Sequence, residues 1–256
     1  KGEMTGTEVE ALFDPSTGKS MFSVSLSGSL VAVEDSPTAR STLVWIDRAG
    51  AETGVAAPES HYNSFRLAPD SRRVAVSRND QQAGDRGIWL IDLARGLETK
   101  FTLEPSDEIR PVWSPDSLKV AFSTDADGPY NVVIRPADRS ESEDRMRAVP
   151  RDQEPLDWSP DGKSLLVQDA FGGGDDSALG ILDLKTEETT VWLKREGNVS
   201  EARFSPDGIW VAYVSGESGR EEVYVAPYPG PGAHVQISIQ GGRQPHFRQD
   251  GRELIY

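Results

Sequence analysis

The chain has 256 residues, no cysteine, and 42 acidic against 27 basic side chains, for a formal charge of −15. That balance argues against nucleic acid and anionic membrane surfaces as partners, both of which call for a basic face, and the missing cysteines exclude disulfides and thiolate chemistry. No run of 18 apolar residues is present, so no helical membrane span is expected, and Lys1 opens no basic–apolar–small leader, so any leader or anchor is expected outside the sequence.

The first predicted element is the strand Glu8-Val9-Glu10-Ala11-Leu12-Phe13, which stands ahead of everything that repeats. A unit of about 45 residues then begins. Each copy opens with a short strand whose last apolar residue (Val24, Leu67, Trp113, Trp158, Phe204, Phe247) lies three positions before a turn. The turn is Ser-Pro-Asp-Gly or a variant of it: proline presets φ, the aspartate caps nearby N–H groups, and glycine takes a positive φ. A second strand follows, such as Val120-Ala121-Phe122 or Val211-Ala212-Tyr213. A polar loop leads to a third, such as Ile88-Trp89-Leu90-Ile91-Asp92, and a weaker fourth strand, such as Thr189-Thr190-Val191-Trp192-Leu193, ends the unit.

The turn residues Asp70, Asp116, Asp161, Asp207 and Asp250 lie 46, 45, 46 and 43 residues apart, with Ser25-Leu26-Ser27-Gly28 as a degenerate first copy. Self-similarity at this period, with β-branched and aromatic runs and no helical stripe, is the pattern of four-stranded propeller blades. The expectation is an all-β, six-bladed β-propeller of four-stranded antiparallel blades in one domain, 1–256. Its repeats fall at about 19–61, 62–107, 108–152, 153–197, 198–241 and 242–256, the last completed by 7–13. The N-terminal strand would thus close the ring and remove an exposed sheet edge.

The Ser-Pro-Asp-Gly repeats resemble the WD-like repeat of TolB-type periplasmic propellers. The stretches Leu43-Val44-Trp45-Ile46-Asp47-Arg48-Ala49-Gly50, Gly87-Ile88-Trp89-Leu90-Ile91-Asp92-Leu93 and Val223-Tyr224-Val225-Ala226-Pro227-Tyr228-Pro229-Gly230-Pro231-Gly232 are closer still to the propellers of acidobacterial receptor serine/threonine kinases. The resemblance covers residues 7 to 256. It implies an extracytoplasmic (periplasmic or cell-surface) bacterial module with a sensory or scaffold role, without its kinase: no glycine-rich loop, His-Arg-Asp or Asp-Phe-Gly is present.

Candidate site residues come from strand alternation. Counting back from each turn aspartate, offsets three and five are mostly apolar, whereas offsets four and six form a polar row facing the channel. From that row Arg66, Arg110, Asp157, Glu201, Arg203, Gln244 and His246 are the expected ligand-binding lining. The competing reading is that these groups pair across neighbouring strands around a water-filled channel.

Trp113 and Trp158 are assigned to packing between blades. The histidines His61, His234 and His246 lie in different contexts, which argues against a metal set. Gly172-Gly173-Gly174-Asp175-Asp176 has the composition of a calcium loop without its regular spacing, so no cofactor is expected and calcium is a lesser alternative. No Gly-x-Ser-x-Gly elbow supplies a hydrolase nucleophile. The function expected is a non-catalytic, monomeric propeller binding a protein, peptide or small polar ligand. The alternative is a hydrolase or lyase acting on a saccharide or phosphate ester at the channel mouth.

Overall fold

The computed structural model describes residues 21–25, 29–35, 40–47, 51–80, 84–140, 144–169, 178–230 and 232–256. Both the strand expected over residues 8–13 and the glycine–aspartate loop at 172–176 lie outside the described residues. The described chain is all β and contains no helix.

Five four-stranded antiparallel sheets follow one another in strict chain order. The first is β1 (Phe22–Val24), β2 (Leu30–Asp35), β3 (Ser41–Ile46) and β4 (Glu52–Ser60); the second is β5 (Tyr62–Leu67), β6 (Arg73–Asn79), β7 (Arg86–Asp92) and β8 (Leu97–Lys100). The third comprises β9 (Glu108–Trp113), β10 (Lys119–Thr124), β11 (Asn131–Pro136) and β12 (Asp144–Arg145), the fourth β13 (Gln153–Trp158), β14 (Ser164–Asp169), β15 (Ala178–Asp183) and β16 (Thr189–Leu193). The fifth is β17 (Val199–Phe204), β18 (Trp210–Ser215), β19 (Glu222–Pro227) and β20 (Val235–Gln236), and a two-stranded sheet of β21 (His246–Phe247) and β22 (Leu254–Ile255) ends the chain.

This corrects the expected blade number. Among the described residues the molecule is a propeller of five four-stranded blades, not six. The periodicity counted turns, and a turn needs only the two strands that flank it: the sixth copy has its turn, but among the described residues only β21 and β22 pair there.

The sheets face each other through apolar layers, one for each neighbouring pair. Val31, Leu43, Phe65 and Val76 fill the layer between the first and second blades; Ile88, Phe101, Trp113 and Phe122 fill the next. Val112, Ile134, Trp158 and Leu165 join the third and fourth blades, and Leu156, Leu179, Phe204 and Tyr213 the fourth and fifth. The two-stranded sheet is held on both sides, by Leu254 against Val214 and Val225, and by Ile255 against Phe22 and Leu30. Burying such a side chain contributes about 1.5–3 kcal/mol, and it explains why both faces of each strand read as apolar.

Each turn is built by its own side chains. Ser114 donates its Oγ–H to Asp116 Oδ1 at 2.6 Å, and that oxygen also takes the Leu118 N–H at 2.9 Å; Ser159–Asp161 and Ser205–Asp207 repeat the first contact at 2.7 and 2.5 Å. The serine hydroxyl holds Asp116 below the usual carboxylate range, with backbone N–H groups helping against partial burial. The next position takes a left-handed φ, 73° at Gly162 and 70° at Gly208, and serine occupies it at Ser117 (62°) and Ser71 (61°). Because every turn ends an innermost strand, all of them surround the same mouth of the ring.

Candidate functional site

At that mouth the structure holds a cavity of about 390 Å³. Its rim consists of the turn residues Pro69, Pro115, Pro160, Pro206 and Gln249, and its wall of Trp113, Trp158, Phe204 and Phe247. Deeper, Arg66, Asp157, Arg203 and His246 converge, all four from the residue at offset four of their repeats. The prolines were missed by sequence reasoning, although a residue next to a turn that ends an inner strand has nowhere to sit but the rim. The two tryptophans are indeed packed between blades, 3% and 7% exposed, and their edges also close the cavity wall.

The four polar residues tie together across the axis rather than only along the wall. Arg66 of the second blade donates Nη2–H to the Leu156 carbonyl of the fourth at 3.1 Å, and its Nη1 lies 3.1 Å from His246 Nε2. Arg203 reaches the same Leu156 carbonyl at 2.6 Å and its neighbour's, Ala202, at 2.7 Å. Asp157 Oδ2 accepts the Phe204 N–H at 2.8 Å. The His246 Nδ1 is 2.7 Å from the Gln244 carbonyl, which can only accept, so Nδ1 carries the proton and Nε2 receives the one offered by Arg66. A neutral imidazole results, in keeping with burial and the two nearby guanidiniums, which push His246 well below its usual range. These side chains form a floor beneath the mouth.

The charges on that floor do not cancel. Burial, and after it the Arg203 cation, drives the Arg66 value well down; burial likewise lowers Arg203 against the pull of Asp157. Burial raises Asp157 despite both arginines. A guanidinium does not release its proton at neutral pH, so two cations face one carboxylate within the floor, with Glu201 acting on both from outside it. Moreover, Arg66 Nε, Arg203 Nε and Trp158 Nε1 are buried with no hydrogen-bond partner. Native interiors leave few such donors, and each costs about 1–3 kcal/mol.

Arg110, Glu201 and Gln244 do not join this group. Each has a left-handed φ, 56°, 53° and 52°. In β9 and β17 the register slips by one residue at this point, so strict alternation ends and offset six no longer shares the face of offset four. Their side chains stitch adjacent inner strands instead. Glu201 Oε2 takes the Gln244 N–H at 2.6 Å, Gln244 Oε1 takes the Phe22 N–H at 2.8 Å, and Arg110 Nε meets Glu154 Oε2 at 2.9 Å. Arg110 and Glu201 are still near enough for their charges to act on the arginines of the floor. No glycine marks these bulges, so nothing in the sequence announced them.

The other histidines are apart from the mouth: His234 lies between Glu217, at 2.8 Å, and Arg195, and His61 precedes β5. Among the described residues no three His, Asp or Glu side chains gather as a metal-ligand set.

No family model matches the chain. It is similar to the uncharacterized peptidase YuxL of Bacillus subtilis, 21% identical over 184 residues, which is 57% of this chain and 28% of the peptidase. The chain thus spans less than a third of the length of that curated relative. Among solved structures, TolB from Acinetobacter baumannii superposes with a TM-score of 0.71 at 17% identity, over 88% of this chain and 56% of that one. An oligogalacturonate lyase in complex with manganese gives 0.59 at 18% identity, over 88% and 69%. The fold is therefore a TolB-type β-propeller.

Proposed function

We propose that the chain is a non-catalytic binding propeller that takes a protein, peptide or small polar ligand at the mouth framed by the Ser-Pro-Asp turns. The observation that carries this reading is the convergence of Arg66, Asp157, Arg203 and His246 beneath a cavity of about 390 Å³ whose rim is mostly proline. Recognition sites commonly combine such an apolar wall with a few converging polar groups. The groups there that could act as acid or base are already engaged, Asp157 by a backbone N–H and His246 Nε2 by Arg66. Likeness to TolB supports the same class, and with the resemblance of its repeats it supports an extracytoplasmic setting as the sensory or scaffold part of a bacterial envelope protein, with an attached kinase as one arrangement.

The catalytic alternative, a hydrolase or lyase, draws on the likeness to a peptidase and to a manganese-bound lyase. One experiment separates the two. The triple variant Arg66→Gln, Arg110→Gln and Arg203→Gln should stay folded by circular dichroism and lose partners captured by the wild-type chain. Turnover of a saccharide or phosphate-ester panel, abolished by a chelator, would instead establish the enzyme reading.

A further inference from the structure

Resting on that reading of the mouth, we infer that its ligand presents an anionic group, a carboxylate at a peptide C-terminus, to the Arg66–Arg203 pair. Two guanidiniums meet one carboxylate on this floor, and the next carboxylate, Glu201, acts on both arginines from outside it, in a protein that is otherwise strongly acidic. Both cations lean on one neutral acceptor, the Leu156 carbonyl, at 3.1 and 2.6 Å, an arrangement that like charges adopt at a cost. Meanwhile each keeps a buried Nε–H without a partner, and Trp158, which also lines the cavity, keeps a third such donor at Nε1. The missing component is an acceptor carrying negative charge, for which the planar arginine fork is suited. The aromatic and proline rim supplies an apolar surround for the side chain next to the carboxylate, which a bare inorganic oxyanion would leave unused.

Isothermal titration of the 256-residue chain with acetyl-Gly-Phe as the free acid, with its C-terminal amide, and with inorganic phosphate tests this. The free acid should bind at least tenfold more tightly than the amide, and Arg203→Gln should lose at least tenfold. Asp157→Asn removes the competing carboxylate while Asn Oδ1 can still accept the Phe204 N–H, so it should gain several-fold; if it is poorly stable, the free acid should raise its melting temperature more than the amide does. Phosphate binding as tightly as the acid, with the same variant responses, would support the anion site and make its source an inorganic oxyanion. Equal binding of acid and amide, both weakened by a Gln249→Trp plug in the rim, would overturn the anion inference and leave the mouth reading intact. Binding indifferent to the plug would overturn both, and no binding of acid or phosphate at millimolar concentration would overturn the inference.

Discussion

Glu108 and Gln153, which open two inner strands, treat buried polarity differently from the residues that close those strands at the mouth. At the end away from the mouth, Glu108 opens β9 at 2% exposure, its carboxylate taking the hydroxyls of Thr102 at 2.9 Å and Ser106 at 2.6 Å, and its backbone carbonyl that of Ser77 at 2.8 Å. Gln153, which opens β13, is satisfied in the same manner by Asp169, Thr189 and Ser123. About 17 Å along the strands, at the mouth, three buried donors have no partner, as do five other buried side-chain atoms elsewhere among the described residues, Asp85 Oδ1 among them. Networks closed within the protein hold blades together, whereas the group at the mouth is left partly open. The contrast can be broken at either end.

The largest effect is expected at the floor. Asp157→Ala strands two half-buried guanidiniums, and losing one member of such a group costs about 3–5 kcal/mol. Urea unfolding should show it; a loss under about 1 kcal/mol would mean that water already compensates Arg66 and Arg203, and the difference between the two ends would disappear.

At the opposite end the expected signature is a pH dependence. Burial, only partly offset by Ser106 and Thr102, pushes Glu108 up to about 7. A carboxyl raised in the folded state binds its proton there while the unfolded chain has already released it, so stability is full below about pH 4.5 and falls as pH rises to about 7. The total is about 3 kcal/mol. Glu108→Gln should flatten that slope, being more stable than wild type at pH 8 and similar at pH 4.5. Glu222, equally buried at 1% exposure, supplies the control: burial acts on it too, but Ser238, the Gly241 N–H and Arg220 outweigh it and hold it below the usual range. Glu222→Gln should therefore lose stability at pH 8 where Glu108→Gln gains.

A smaller effect tests how the mouth is braced. Trp113 donates Nε1–H to the Arg66 carbonyl at 2.9 Å and lies beneath the Arg73 guanidinium, 4.8 Å from the ring centre. Trp113→Phe keeps an aromatic ring but loses the indole N–H and part of the buried volume, for about 1–2 kcal/mol in chemical denaturation. A neutral outcome would show that Arg66 is fixed from the channel side alone.

How much of this was legible follows from which physical signal each feature leaves. The turns announce themselves because Ser-Pro-Asp-Gly is a local solution to φ, capping and reversal, and alternation from them correctly brings Arg66, Asp157, Arg203 and His246 to one place. Alternation fails beyond Arg110 and Glu201 because a bulge carried by non-glycine residues leaves no compositional mark. The blade number failed for a related reason, since repeats report turns whereas a blade requires four paired strands. The Arg66 contacts to His246 Nε2 and to Leu156 O cross the axis between residues 180 and 90 positions apart, which no local pattern encodes.

Arg110 gives the finest test of the comparison, because alternation assigns it to the same polar row as the floor while its surroundings match the surface. Its side chain is 48% exposed and pairs with Glu154, which is 25% exposed. An ion pair so open to water contributes at most a few tenths of a kcal/mol. Arg110→Ala should thus change stability by less than about 0.5 kcal/mol, and its effect should vanish in 1 M salt. The backbone strain at φ 56° is common to Arg and Ala and cancels in that difference; Arg110→Gly relieves it and should equal or exceed wild type despite the greater freedom of glycine in the unfolded chain. If Arg110→Ala proved as costly as Asp157→Ala, the side chain would have to reach the floor after all, and the line drawn by the bulge between offset four and offset six would be in the wrong place.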